Sequence, residues 1–378
     1  MRSEGEPPSA DMPAEIETIQ EPAETRFLKW VLFGDQGLRA GWSVALFIAV
    51  FFFASAVLGA VVVLAVAQPL HIDLEVFTPK SALLLEIMQF VPVLTAAAVC
   101  ALVEGRRIVD YNLTGSRRTV HFFTGLAAGG IALSALVWSL DAGGWLRFGA
   151  PSLTGIQIAK YGLVWGLTFL LTALTEEGGS RCYMLFTFTR STNFWWASSA
   201  TAALCLFAFV NTHANGPGGV YLSAAIGVLP CLALQLRHSP STGFWNAAWL
   251  TSTLFGYIHT FNSGETWIGI FSAAAIGFVF CASVRLTGSA WWAIGFHASW
   301  DWAQTFFYGT ADSGLTPTGH FLATSPTGKM FWSGGAVGPE GSVLVIPIVL
   351  IVLLILVAVH RRNPNAESPS PGVASQLS

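Results

Sequence analysis

Apolar residues fill this chain in blocks about twenty long, separated by short polar turns. A bilayer core of ~30 Å is crossed by a helix of about 20 apolar residues. Such blocks lie near 43–67, 81–103, 121–140, 160–187, 194–212, 219–236, 244–262, 266–284, 289–308 and 342–360. The pattern predicts an all-α, polytopic transmembrane helical bundle of about ten spans, or eight if the shorter and more polar blocks do not cross.

Loop charges orient the bundle. Lys29 and Arg39 precede the first block, and Arg106, Arg107, Arg117 and Arg118 lie between the second and third. Arg190, Arg237 and Arg285 follow the fourth, sixth and eighth, and Arg361 and Arg362 follow the last. With ten alternating helices these all fall on one side, while the opposite loops hold Lys80, Arg147 and Lys329. Both termini are therefore expected in the cytoplasm, with the protein integral to the cell's inner membrane.

Composition agrees. Charged residues make up 10% of the chain and hydrophobic residues 53%, with a mean hydropathy of +0.59; a soluble domain carries about 25% charged residues. Most of the chain is thus matched to lipid. The net charge of −3 and the lack of a basic patch argue against nucleic acid as a partner. Cys100, Cys182, Cys205, Cys231 and Cys281 lie in or beside apolar blocks without a C-x-x-C pair, and read as buried apolar residues. Residues 1–25, acidic and proline-bearing, read as a disordered cytoplasmic tail without a signal-peptide pattern. A transmembrane domain is expected over 26–362, followed by a second disordered tail at 363–378. The outer loop at about 309–341, which contains His320, reads as a solvated connector in preference to a lid.

Residues 194–237 resemble 244–287. Phe194-Trp195 matches Phe244-Trp245, Ala224-Ala225-Ile226-Gly227 matches Ala274-Ala275-Ile276-Gly277, and Cys231 matches Cys281. This predicts a tandem duplication of a helical hairpin, in which His259 of the second copy is replaced by Asn211 in the first.

Ionisable groups inside a membrane are expensive and by default mark function. Glu176 and Glu177 interrupt an apolar stretch and point about 100° apart on a helix. Glu177 and Arg181 have the i, i+4 spacing of a same-face ion pair, which leaves Glu176 free to face another helix. A desolvated carboxylate can act as a base toward water, although the cluster could equally be a structural ion pair. His259 ends an apolar helix and read alone is more readily a packing residue. His297 and Asp301 share a helix face, where they could bind metal, orient water or stabilise an oxyanion, or simply form an interhelical polar contact. His213 and Asn215 lie in a glycine-rich outer turn and read as structural.

These residues together resemble the CAAX-protease and bacteriocin-processing (CPBP) family. Glu176-Glu177-x-x-x-Arg181 is similar to its EExxxR motif, Phe255-x-x-x-His259 to its FxxxH motif, and His297-x-x-x-Asp301 to its HxxxN motif, in the same order. The resemblance covers roughly residues 160–310. It implies an intramembrane endopeptidase that cleaves a membrane-associated protein or peptide. Glu176 and His259 would activate water, directly or through a divalent metal such as zinc. His297 and Asp301 would complete the site, and Arg181 would brace Glu177. Candidate metal ligands are Glu176, His259, His297 and Asp301. Two positions depart from the pattern: Cys182 stands for Gly, and Asp301 for Asn, which tilts the site toward metal ligation. The duplicated hairpin adds two helices between Glu176 and His259, so the first copy is expected to pack outside. The spans place Glu176 toward the cytoplasm and His259 toward the outer side, so the two meet only if helix four runs on through Phe188 or the helices differ in depth. A scaffold or immunity-type binding protein of the same fold is the alternative. A transporter is disfavoured because the repeat covers a single hairpin.

Overall fold

The computed structural model describes residues 23–34, 37–211, 217–238 and 241–361. Most of them are helical: α1 Ala23–Leu32, α2 Ala40–Ala67, α3 Pro79–Val103, α4 Arg118–Ala142, α5 Ile156–Thr189, α6 Phe194–Asn211, α7 Pro217–Leu236, α8 Thr242–Ile258, α9 Trp267–Thr287, α10 Trp291–Trp302 and α11 Val345–Arg361. A helix lies in each of the ten apolar blocks. Six are long and apolar enough to cross a membrane, namely α2, α3, α4, α5, residues Gly219–Leu236 of α7, and α9; Phe194–Val210 and Val345–His360 are shorter apolar helices. The protein is an integral membrane protein. Helix α1 starts at Ala23, inside the stretch read as the acidic tail. The rest of that tail, the C-terminal tail and the turn with His213 and Asn215 lie outside the described residues.

Local chemistry sets the helix ends. Thr78 accepts from the Ser81 amide ahead of α3, and Pro79 takes the first helical position, where no amide partner is needed. Thr266 caps α9 through the Gly269 amide. That helix stops at Gly288, whose φ of 75° is the left-handed conformation that suits glycine.

Helix α9 is central, with 61% of its most apolar window buried, whereas α2 has 11% and turns Phe52, Phe53 and Leu64 outward. Such a face is stable against lipid. Helix α10 lies in close contact with α4. The Trp292 carbonyl sits against Gly125, the Phe296 carbonyl against Gly129, and the Phe122 carbonyl against Gly295. A side chain at Gly295 would meet backbone that cannot swing aside. Gly295→Val is expected to lower stability by about 3 kcal/mol, read as a fall in melting temperature in detergent, while Gly130→Ala, with open space beside it, changes little.

Both repeat copies form hairpins, α6 with α7 and α8 with α9. Gly227 packs on Ala202 in the first, and Gly277 packs on Ser252, the matching position, in the second. The hairpins touch where Trp249 Nε1 donates to the Ile226 carbonyl at 3.0 Å.

Two short antiparallel ribbons complete the chain. Residues Phe33–Gly34 pair with Gly37–Leu38, and Leu146–Phe148 pair with Thr324–Pro326, which ties the 309–341 segment to the loop after α4.

Candidate active site

A 34-residue run from Ile156 to Thr189 makes α5 one continuous helix. Glu176 falls near its midpoint, so the depth conflict with His259 disappears. After Glu177 the helix widens to π-helical turns over Gly178–Met184. Such bulges free backbone carbonyls and gather at functional sites. The Arg181 carbonyl takes a hydrogen bond from Asn112 Nδ2 at 2.8 Å, and the Asn112 carbonyl accepts from the Ala290 amide just before α10. One loop residue thus ties together the two helices that carry Glu176 and His297.

Glu177 and Arg181 have no exposed surface, and Arg181 Nε lies 3.3 Å from Glu177 Oε2. The guanidinium also stacks on Phe255, 4.1 Å from the ring centre, and presses on Gly277, where a side chain would displace it. The other oxygen of Glu177 accepts from His297 Nδ1 at 2.8 Å. His297 Nε2 is thereby presented to the cavity, 3.3 Å from Asp301 Oδ2 and 3.8 Å from Glu176 Oε2. Just past the end of α8, in a 3-10 turn over His259–Phe261, His259 Nδ1 donates to the Phe255 carbonyl at 2.7 Å. A carbonyl only accepts, so Nδ1 carries a hydrogen, and in the neutral ring the lone pair is on Nε2.

Glu176, His259, His297 and Asp301 line one cavity of about 200 Å³, with Glu177 and Arg181 behind it. Among the described residues, none of α6 or α7 lines it. The side chains do not form a ready metal set: among the described residues no group of three or more His, Cys, Asp or Glu is arranged to hold an ion.

The segment read as a connector is instead part of the wall. Asp312, Ser313, Leu315 and Glu340 line the cavity, as do Glu265 and, from α3, Glu86. Thr305 Oγ1 donates to Asp312 at 2.8 Å, and Glu340 Oε1 accepts from the Ser313 amide at 2.7 Å and its hydroxyl at 3.0 Å. His320 stays apart, hydrogen-bonded through Nδ1 to the Leu322 carbonyl at 2.7 Å. Glu86 had a sequence signal, a lone carboxylate in an apolar block. Asp312 and Glu340 had none, because their place depends on a loop folding back.

Burial pushes the Glu340 carboxyl up to about 7, opposed by His259 and reinforced by Asp301. Burial likewise holds Asp312 well above the usual carboxylate range. In the unfolded chain Glu ionises near pH ~4.3, so unfolding releases a proton between there and about 7. The anchoring of this loop is therefore full at acid pH and is lost as pH rises through about 7. Hydrogen exchange across 309–341, corrected for intrinsic rate, is expected to quicken about tenfold between pH ~5 and ~8, and Glu340→Gln to flatten the change.

A bundle of membrane helices with glutamate, histidine and aspartate on a shared internal cavity has the parts of a membrane-embedded hydrolase. Residues 231–303 match the family model described as type II CAAX prenyl endopeptidase Rce1-like, a protease family. The match holds His259, His297 and Asp301; Glu176, Glu177 and Arg181 precede it and join them through the fold. No curated protein and no solved structure matches the chain.

Proposed function

We propose that this protein is an intramembrane endopeptidase that hydrolyses a peptide bond in a membrane-associated protein or peptide. The observation that carries the reading is the meeting of Glu176, His259 and His297, from three helices, on one internal cavity of a largely apolar chain. Glu176 takes a proton from water as the oxygen adds to the scissile carbonyl. His259, with its Nε2 lone pair free, orients that water. His297 in its doubly protonated form donates from Nε2 to the developing oxyanion, held by Glu177 through Nδ1 and by Arg181 behind it. Asp301 sets the approach of the ring from one turn away. The Lys and Arg bias of the loops supports a cytoplasmic position for both termini and an outer position for the 309–341 wall.

The test compares membrane proteomes of cells carrying wild type or Glu176→Gln at matched expression. Longer precursors are expected to accumulate with the variant alone. Identical proteomes with the protein abundant would replace this reading with a scaffold or immunity-type binding role.

A further inference from the structure

The proposed chemistry leaves Glu86, Glu265, Asp312 and Glu340 of the cavity unused, and the last three accept hydrogen bonds from Thr266, Thr305 and Ser313. Glu86 sits within α3, between Leu83-Leu84-Leu85 and Ile87-Met88. It lines the cavity together with Thr172 and Glu176 of α5 and His297 and Asp301 of α10. Thr172 and Glu176 are four residues apart on α5, so they share a face about 5–6 Å apart. Glu86 and Glu176 therefore line the same cavity of about 200 Å³ from two helices, α3 and α5. Among the described residues no Lys or Arg lines the cavity, so an ion pair does not account for a carboxyl at this depth.

We propose that Glu86 is the general acid that protonates the leaving amine. The inference rests on the endopeptidase reading. Ionised Glu176 takes one proton from water, and the water oxygen bonds to the carbonyl carbon to give a tetrahedral oxyanion. As the oxyanion collapses, the C–N bond breaks with its electron pair going to nitrogen, and that nitrogen takes the proton of Glu86. The products are a new carboxyl terminus and a new amino terminus. Glu86 is left ionised and Glu176 protonated, and water in the cavity returns the proton from one to the other. One water is consumed and no other reactant is needed. Two carboxyl groups in one cavity so divide the work of base and acid.

An amine leaves poorly without a proton, whereas 4-nitrophenolate leaves unaided, and this difference makes the test. The probes are a peptide spanning the cleavage site of a precursor that accumulates with Glu176→Gln, and its N-terminal half as a 4-nitrophenyl ester. Both are assayed with the full chain in detergent. With Glu86→Gln, peptide cleavage is expected to fall by about 10²-fold or more while ester cleavage stays within about threefold. Glu176→Gln is expected to lose both. Glu86→Leu, which keeps bulk without needing a polar partner, gives the same split should the Gln variant fold poorly. Equal loss of both reactions in the Glu86 variants overturns the proposal in favour of a structural role, and loss of neither makes Glu86 a bystander. A wild type that cleaves neither probe overturns the endopeptidase reading itself.

Discussion

Purified Glu176→Gln protein is expected to cleave its substrate about 10²–10⁴-fold more slowly than wild type, with its melting temperature nearly unchanged. Gln keeps the size and polarity of the side chain and removes the lone pair that accepts the water's proton. The carboxylate opens on the cavity and is not locked in the ion pair, which Glu177 makes with Arg181. His259→Gln is expected to lose activity on the same scale, since the free Nε2 of His259 is replaced by an amide that cannot hold the water in line. The two residues act on one water, so the double variant should be little worse than either single one. Parallel cleavage assays and melting curves check this. Fully additive losses would mean that the two side chains serve separate steps, and an active Glu176→Gln would remove the base from the mechanism.

Arg181→Leu is expected to destabilise the protein by about 3–5 kcal/mol, because it strands the Glu177 carboxylate where no water reaches. The guanidinium also leaves Phe255 and the space beside Gly277, so packing is lost with the charge. Adding Glu177→Gln removes the stranded charge and should restore much of the melting temperature. It should not restore cleavage, because His297 Nδ1 loses the carboxylate that stabilises its doubly protonated form and sets its direction. Melting and cleavage measured on the single and double variants separate these effects. If Arg181→Leu melts with wild type, the pair does not brace the site.

Whatever depends on near neighbours in the chain could be read from the order of residues. Membrane class follows from block length and charge content, because lipid imposes one simple requirement on every span. The Glu177–Arg181 and His297–Asp301 contacts follow from helical period, and the structure holds them at 3.3 Å each. The tandem hairpin is likewise a reading of chain order, and the matched glycines Gly227 and Gly277 lie against the matched positions Ala202 and Ser252, the second less closely. The pairing of α4 with α10 was missed, although Gly125-x-x-x-Gly129 is a signal for close helix approach.

Tertiary structure alone decided which groups share the cavity. Hydropathy reports that a segment is apolar and says little of its depth, so it could not show that α5 runs on to Thr189 and carries Glu176 to the level of His259. The apolar period is nearly the same in both hairpins, so only the replacement of His259 by Asn211 pointed to the first as the outer one; among the described residues the cavity is lined from the second. Asp312 and Glu340 reach the cavity because a long polar loop folds inward, and Glu86 because α3 packs beside α5; these are contacts between residues far apart in the chain, fixed by shape and burial.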